Sequence, residues 1–557
     1  MKILQIHVDW IEYTPIEKEI GLAEETEKKI YRLDDVLVLF TSIEKNDNES
    51  LVKKAIDDVK EFLGKIGCNK ILIYPFAHLS NNLAKPQEAL NILRNMEEYA
   101  KKLNIETYKA PFGWNKKLSL SVKGHPLAEQ SRVYVGEEEK VDIEEAVKRL
   151  GKRPAIEQEK LGESDHRIIG QNLDLYSFHE VSPGMPFFHH KGKILWNILE
   201  QFSRKVQLER GYQEVKTPLI LNKSLWLISG HWEHYKENMF FTSTEDGEFA
   251  IKPMNCPGAI LIFKTKLRSY KELPIRLAEF GLVHRNELSG VLSGLFRVRA
   301  LTQDDAHIFV TEDQLQEELV NLIDLVDYFY KIFNFEYYVE LSTRPEKFMG
   351  KKELWDKAEE ALKNALEKKN TNYKLNPGEG AFYGPKIDFH IKDSLGRSWQ
   401  LATIQVDFQM PERFDVNYIG KDGKQHKAII IHRAIYGSLE RFIGILVEHY
   451  QGKFPLWLSP VQVRVLPISE ENLGYARKIL GILKENEIRA EMDEENRTIE
   501  YKIREAQLQK IPLMVIVGKK EEQGNTVAVR EREGKVTYGV KLEDLINKIK
   551  EDVKNFK

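Results

Sequence analysis

The chain is expected to fold as a multidomain protein of mixed α/β and α+β class. Three observations predict this. Its 557 residues exceed what a single hydrophobic core organises, so three or four domains are expected. Apolar residues recur at strand spacing in some stretches and at helix spacing in others, along the whole chain. A charged stretch at 146–165 and proline punctuation before 458 divide the chain into 1–145, 166–457 and 458–557. With 42% apolar and 30% charged residues the chain reads as soluble and globular. No run has the apolar length that spans a bilayer, and the opening MKILQIHVDWIEY is strand-like rather than a signal peptide. Two cysteines, Cys68 and Cys256, make no disulfide framework and fit a reducing, cytoplasmic compartment. A net charge of −3 gives no global attraction to nucleic acid, so any RNA binding must come from local basic patches.

In KILQIHVDW, Leu4, Ile6, Val8 and Trp10 alternate with Ile3, Gln5, His7 and Asp9, which is strand spacing. Residues 36–40 and 71–74 are further strands. Between them Val52, Ala55, Ile56, Val59, Phe62, Leu63 and Ile66 recur at helical spacing. Pro86 opens a second helix, continued by Ala89, Leu93 and Met96. YPFAHLS (74–80) places His78 just after a strand, and APFGWNKKLSLSVKGHPLAE (110–129) sets Lys116, His125 and Glu129 around another. On spacing alone these are ordinary loop residues. Residues 137–149 could form a short helix within an otherwise linker-like stretch.

The second region begins with a helix over 193–210, stopped by Gly211, and a strand that ends at Pro218. SGHWEHYKENMF (229–240) and KPMNCPG (252–258) follow; a lone cysteine such as Cys256 is more often a small core residue than a ligand. Residues 279–309 read as strand, loop and antiparallel strand. That hairpin would set Arg285 and Arg297 together on one sheet face, where guanidinium forks match phosphate oxygens. A surface hairpin with solvated charges would look the same. Leu315, Leu319, Leu322, Leu325 and Phe329 form a helical stripe, and 353–369 is a second helix, expected mostly as a solvated outer face. Residues 378–414 are strands in which Tyr383, Lys386, Gln400, Thr403 and Gln405 stand among apolar residues, as in a pocket-lining sheet or a plain sheet with one wet face. In HRAIYGSLERFIGILVEHY (432–450), Leu439, Phe442, Ile443 and Leu446 make a core stripe. Arg441 sits off that stripe and needs an anionic or π partner; Gly437 permits a close approach at the helix start. From 463 onward the order is strand, helix, strand, helix, strand and a final helix, a compact α/β domain.

Phe-x-x-x-His-Arg-Asn-Glu at 280–287, followed by glycine and Arg297, resembles motif 2 of the class II aminoacyl-tRNA synthetases. TQDDAHIF (302–309) is similar to the threonyl branch. The helix–strand–proline run resembles motif 1, and Gly437 with Glu440-Arg441 and an apolar helix resembles motif 3. YPFAHLS, LAKP (83–86), APFG and KGHPLAE resemble, in order, the N-terminal editing domain of archaeal-type threonyl-tRNA synthetases, itself similar to D-aminoacyl-tRNA deacylases. DEENRTIEYKIREAQLQKIPLMVIVG (493–518) resembles the class IIa anticodon-binding domain.

The resemblance implies an editing domain at 1–145, a linker at 146–165, a catalytic domain at 166–457 built on an antiparallel class II sheet flanked by helices, and an anticodon-binding domain at 458–557. It implies an enzyme that makes Thr-AMP from L-threonine and ATP, esterifies tRNA-Thr, hydrolyses Ser-tRNA-Thr, and pairs as a homodimer through motif 1. For ATP it implies Arg285 on the α-phosphate, Arg297 at the γ-phosphate end, Arg441 over the adenine and Glu287 on the adenine amino group. Gln400 and Thr403 would also lie there, with Mg²⁺ bridging phosphate oxygens. Zn²⁺ would be held by Cys256, His307 and His432, a set that leaves a fourth position open for substrate. Met254, Gln303, Asp305, Tyr383 and Gln405 would line the threonine pocket, with Asp305 accepting from the hydroxyl and Tyr383 facing the amino group. His231 would join Arg285 and Arg441 in catalysis. His78, Lys116 and Glu129 would edit; Asn496, Arg504, Glu521 and Arg530 would read the anticodon. Two positions depart from the pattern: Asn115 replaces an aromatic residue before Lys116, and Ala300-Leu301 replaces the Gly-Phe pair of bacterial relatives. Rival readings are another class II synthetase such as seryl or prolyl, an inactive paralogue that binds RNA, and a deacylase fused to a scaffold.

Overall fold

The computed structural model describes residues 1–80, 82–134, 161–245, 247–393 and 396–557. The helix expected at 137–149 and most of the linker at 146–165 lie outside them. The chain divides into two compact units, Met1–Gly151 and Lys152–Lys557.

The first unit is a six-stranded sheet with helices on one face. Its strands and helices are β1 (Lys2–Lys18), β2 (Tyr31–Ser42), α1 (Glu49–Ile66), β3 (Lys70–Pro75), α2 (Pro86–Lys102), β4 (Glu106–Lys109), β5 (Trp114–Val122) and β6 (Glu129–Val133). The strand order is β4-β3-β2-β1-β5, with β6 also on β1. The helix start expected at Pro86 holds, and the helix expected from Val52 to Ile66 has caps at both ends. Asn48 caps α1 by accepting from the N–H groups of Ser50 and Leu51, Gly67 ends it at φ 66°, and Pro86 opens α2. Leu37, Leu39, Ile71 and Ile73 face these helices, while Val36, Val38, Phe40 and Leu72 build a second apolar layer on the opposite face.

The second unit carries the larger sheet. In chain order its elements are α3 (His166–Asn172), α4 (His190–Glu209), β7 (Gln213–Glu214), α5 (Cys256–Phe263), β8 (Ile275–His284), β9 (Ala300–Val310), α6 (Glu312–Ile332), β10 (Tyr337–Ser342), α7 (Lys352–Lys368), β11 (Tyr373–Asn376), β12 (Lys386–Lys392), β13 (Ser398–Asp407), β14 (Ile429–Ala434) and α8 (Leu439–His449). The eight strands run β11-β10-β12-β13-β14-β9-β8-β7. The inner pairs are antiparallel, and only the two edge strands, β11 and β7, pair in parallel. The stripe on α6 is buried as its spacing predicts. The expected solvated face of α7 is corrected: Trp355, Ala358, Leu362, Ala365 and Leu366 are all buried, and only the charged remainder is wet. The strand expected through Pro218 shrinks to the two residues of β7.

The C-terminal part adds β15 (Val463–Pro467), α9 (Leu473–Glu485), β16 (Ala490–Met492), α10 (Ile499–Leu508), β17 (Leu513–Val517), β18 (Val527–Glu531), β19 (Val536–Val540) and α11 (Leu542–Lys554). Its sheet order is β16-β15-β17-β18-β19. The antiparallel pair β18–β19 is absent from the sequence expectation. Arg489 ties this part to the core by donating to the carbonyls of Leu456, Trp457 and Ser459. Phe556 packs 5.4 Å from Phe202 and 5.2 Å from Trp457.

Candidate functional site

Register across the large sheet assembles one row of side chains. On β12, β13, β14 and β9, Lys386 pairs with Gln405, Gln405 with His432, and His432 with His307. Alternation then puts Gln303, Asp305 and His307 on the same sheet face as Thr403 and Gln405 of β13, with β14 between the two strands. Cys256, the first residue of α5, is buried in the same cluster. KPMNCPG is held onto β8 by a buried network in which Lys252 Nζ donates to Glu279 (3.1 Å) and Thr217 (2.7 Å).

The thiol of Cys256 and one ring nitrogen each of His307 and His432 lie within 4.8 Å of one another. His307 Nε2 and His432 Nδ1 are buried and have no hydrogen-bond partner, a costly arrangement unless a metal takes their lone pairs. The other nitrogen of His432, Nε2, donates to Asp407 Oδ2 at 3.0 Å, which leaves Nδ1 free as the ligand atom. Burial alone would push the Cys256 thiol up; the two imidazoles outweigh it and bring it down to about 7. Soft thiolate, two imidazoles and a buried carboxylate behind one of them fit zinc. A second buried cluster, Asp165, His166 and Glu448, uses both imidazole nitrogens in hydrogen bonds and is not of this kind.

Lys386, Gln405 and His432 of this row face a cavity of about 480 Å³, whereas His307 lies beneath its lining. Met254, Cys256, Arg285, Glu287, Arg297, Gln303, Asp305, Tyr383, Gln400, Thr403, Gln405, His432 and Arg441 all line it. Asn255 Nδ2 donates to Asp305 at 3.1 Å, and burial lifts the Asp305 carboxyl to about 6 against that bond. Tyr383 stands 5.4 Å from the His432 ring. Asp388 organises the far wall, accepting from Ser342, Lys386, Gln400 and Thr403 at 2.5–3.0 Å.

Arg285 and Arg297 do reach this cavity, but not from a sheet face. β8 ends at His284 and β9 begins at Ala300, so both arginines stand in the connecting loop, with Ser293 and Arg297 bridged. Arg297 donates to Glu287 at 2.8 and 3.0 Å, and Arg285 Nε to the Pro253 carbonyl at 3.3 Å. Arg441 follows the Ser438 cap of α8 and donates to the carbonyls of Phe296 (2.8 Å) and Gln400 (2.7 Å), with its guanidinium 5.7 Å from the Trp399 ring. Burial, then Arg285 and Arg297, bring Arg441 down to about 10, with Glu287 opposing them. Gly437 lies at φ +74°, where a Cβ would meet the Leu401 carbonyl at 2.6 Å; it serves close strand contact.

His231 is not on the cavity wall. It is fully buried, bonded through Nδ1 to Ser229 at 2.8 Å, and faces Met254 Sδ at 2.9 Å; burial and then Arg285 bring it down to about 3. Trp399, Phe296 and Asp388 were not singled out by sequence reasoning.

In the first unit a cavity of about 540 Å³ is lined by His78, Asn115, Lys116, Tyr74, Thr41 and Ser42 among others. Lys116 Nζ donates to the carbonyls of Pro111 and Trp114, both at 3.0 Å, and lies 5.0 Å from the Tyr74 ring. Burial brings it down to about 8. Glu129 is elsewhere: it pairs with Ile6 while Lys116 pairs with Pro15, nine residues further along β1. At ~3.3 Å per residue that is roughly 30 Å.

Of the remaining expected residues, Asn496 donates to Glu470 at 2.9 Å beside Gly518 and Lys519. Glu521 accepts from the Gly518 N–H at 3.0 Å, Arg504 is exposed on α10, and Arg530 lies half-buried on β18.

Comparisons with known proteins agree with this anatomy. Residues 1–134 match the archaea-specific editing domain of threonyl-tRNA synthetase, 239–450 the tRNA synthetase class II core domain (G, H, P, S and T), and 462–552 an anticodon binding domain. The chain is 60% identical over 395 residues to a threonine–tRNA ligase of Caldanaerobacter subterraneus subsp. tengcongensis, covering 71% of this chain and 61% of that protein. It is 58% identical over 397 residues to that of Acetivibrio thermocellus, covering 71% and 62%. The chain thus spans about three-fifths of the length of these relatives. A crystal structure of the RNA binding domain of threonyl-tRNA synthetase from Cryptosporidium parvum Iowa II superposes with a TM-score of 0.67 at 44% identity, covering 70% of this chain and 98% of that one. On this sheet, these motifs and these relatives, the chain belongs to the threonyl-tRNA synthetase family.

Proposed function

We propose that this protein is a threonine–tRNA ligase that activates L-threonine with ATP, charges tRNA-Thr and clears Ser-tRNA-Thr in its N-terminal unit. The observation that carries the reading is the pair of unpartnered imidazole nitrogens, of His307 and His432, beside Cys256, with Cys256 and His432 lining the same cavity as three arginines. The threonine carboxylate attacks the α-phosphorus of ATP and pyrophosphate leaves; the terminal ribose hydroxyl of the tRNA then takes the threonyl group and AMP leaves. Arg285 offsets charge on the α-phosphate, Arg297 holds the γ-phosphate end, and Arg441 covers the adenine. Mg²⁺ arriving with ATP would add to the charge offset on the phosphates.

Zinc would be held by Cys256, His307 and His432 and would act as a Lewis acid toward the amino and hydroxyl groups of threonine. Asp305 accepts from that hydroxyl and Tyr383 faces the amino group. Valine lacks the hydroxyl, and a site built to pair one rejects its absence by roughly 10⁴-fold or more. Serine keeps both groups and lacks only a methyl, worth about 1–3 kcal/mol. A second, hydrolytic site is therefore needed, and the cavity around Lys116 and His78 suits it. Lys116 Nζ, held by two carbonyls, is the group to orient water or stabilise an oxyanion. The roughly 30 Å along β1 leaves Glu129 no part in that cavity within one chain. His231, neutral and behind Met254, reaches the reacting atoms only if Met254 moves aside. Asn496, Arg504, Glu521 and Arg530 remain the proposed anticodon readers. A homodimer through α4 and β7 is part of the proposal. Both cysteines are free, in keeping with a cytoplasmic setting, and no helix among the described residues is long and apolar enough to cross a membrane. Threonine-dependent ATP–pyrophosphate exchange, measured with and without zinc, tests the reading.

A further inference from the structure

We propose that His166 is a positioning residue for the nucleotide: it clamps the loop carrying Arg297 onto the helix carrying Arg441, and so sets the affinity for ATP. The inference rests on the ATP-binding reading above. His166 begins α3, far in sequence from every motif of the site, and is fully buried. The Leu295 backbone N–H donates to its Nε2 at 3.0 Å. A nitrogen that accepts carries no proton, so the ring proton sits on Nδ1, which donates to Glu448 Oε1 at 2.8 Å. The same Glu448 oxygen accepts the His166 backbone N–H at 3.1 Å. Glu448 lies near the end of α8, the helix whose first turn holds Arg441.

The other half of the clamp is Phe296. Its ring centroid is 4.1 Å from that of His166 and 4.7 Å from that of Trp399, and its carbonyl accepts from Arg441 Nε at 2.8 Å. The contacts close a circuit: Arg441 to Phe296, Phe296 to His166, His166 to Glu448, and back along α8. Phe296 and Trp399 both line the cavity, so the circuit ends on its wall. Gly294 makes the approach possible. It stands at φ +51°, and a Cβ there would lie 2.3 Å from His166 Nε2. A donor on one edge, an acceptor on the other and a flat face for Phe296 are what imidazole supplies and phenylalanine does not.

The test uses the full chain with its zinc. His166→Phe keeps a stacking ring and loses both hydrogen bonds; His166→Gln can restore a donor and an acceptor; His166→Asn is too short to reach both. ATP affinity is read by calorimetry, and KM for ATP and for threonine separately by exchange, with zinc content and melting temperature as controls. His166→Phe should weaken ATP binding by about tenfold or more, leave KM for threonine within about twofold and leave zinc unchanged. His166→Gln should recover most of the loss and His166→Asn little. Equal ATP affinity in all four proteins overturns the proposal. So does a fall in activity that tracks melting temperature and touches both substrates alike. If His166→Phe does not fold, the contrast between the Gln and Asn variants at matched stability decides. A wild-type protein that binds ATP but shows no threonine-dependent exchange would remove the ligase reading and leave the calorimetric comparison as the test. One that binds no ATP removes both.

Discussion

With zinc at the proposed Cys256–His307–His432 site, Asp407→Asn should weaken its binding while leaving the fold in place. Asp407 Oδ2 lies 3.0 Å from His432 Nε2, and both residues are buried. Asp407 Oδ1 accepts from the N–H groups of Gln409 (2.7 Å) and Met410 (3.0 Å), capping the turn that follows β13. Asparagine keeps that cap through its amide oxygen and presents an NH₂ to His432. A donor opposite Nε2 makes Nε2 the acceptor and moves the ring proton to Nδ1, the atom left free to ligate. Loss of an outer-sphere partner lowers metal affinity by roughly 10–100-fold. Tautomer reversal places the expected loss at the upper end, about 2.7 kcal/mol. Competition against a chromophoric chelator measures it, with threonine-dependent exchange falling at limiting zinc and returning at excess. Zinc affinity within about threefold of wild type, in a variant whose metal-free melting temperature is unchanged, would refute the reasoning.

Arg285→Ala and Arg441→Ala should each depress ATP–pyrophosphate exchange by roughly 10²–10³-fold, the scale of a transition-state charge contact; normal exchange with impaired tRNA charging would reassign them. Arg504→Ala should leave exchange intact and weaken charging; unchanged discrimination against anticodon-mutant tRNA counts against it. Lys116 is brought down to about 8 by burial, so its cationic form persists below that pH and drains away above it. If that cation stabilises an oxyanion, catalysed deacylation of Ser-tRNA-Thr falls as pH rises through about 8. Lys116→Met should flatten this profile and leave threonine activation normal; a mutant that clears Ser-tRNA-Thr at the wild-type rate would remove Lys116 from the reaction.

What the sequence disclosed and what it withheld divide by the range of the contact. The α6 stripe, the helical spacing from Val52 to Ile66 and the Pro86 start are local periodicity and capping, and the structure repeats them. Cys256, His307 and His432 were legible through their motifs, not their spacing, since register across β9 and β14 is what unites the histidines. Asp388, Phe296, Trp399 and His166 were missed because each acts through a partner distant in the chain: Asp388 gathers Gln400 and Thr403, and His166 meets Glu448. Glu129 was misplaced because adjacency in a motif says nothing of which half of a long β1 a strand will join. The β18–β19 hairpin did leave a signal, alternation in TVAVRE followed by a glycine turn, that was read past.

The most direct test of the account is amino-acid-dependent ATP–pyrophosphate exchange on protein of measured zinc content. Stoichiometric zinc is expected, with exchange supported by threonine, more weakly by serine and not by valine, all abolished by chelation and restored by zinc. Exchange that survives complete removal of zinc, or that accepts valine as readily as threonine, would contradict the account.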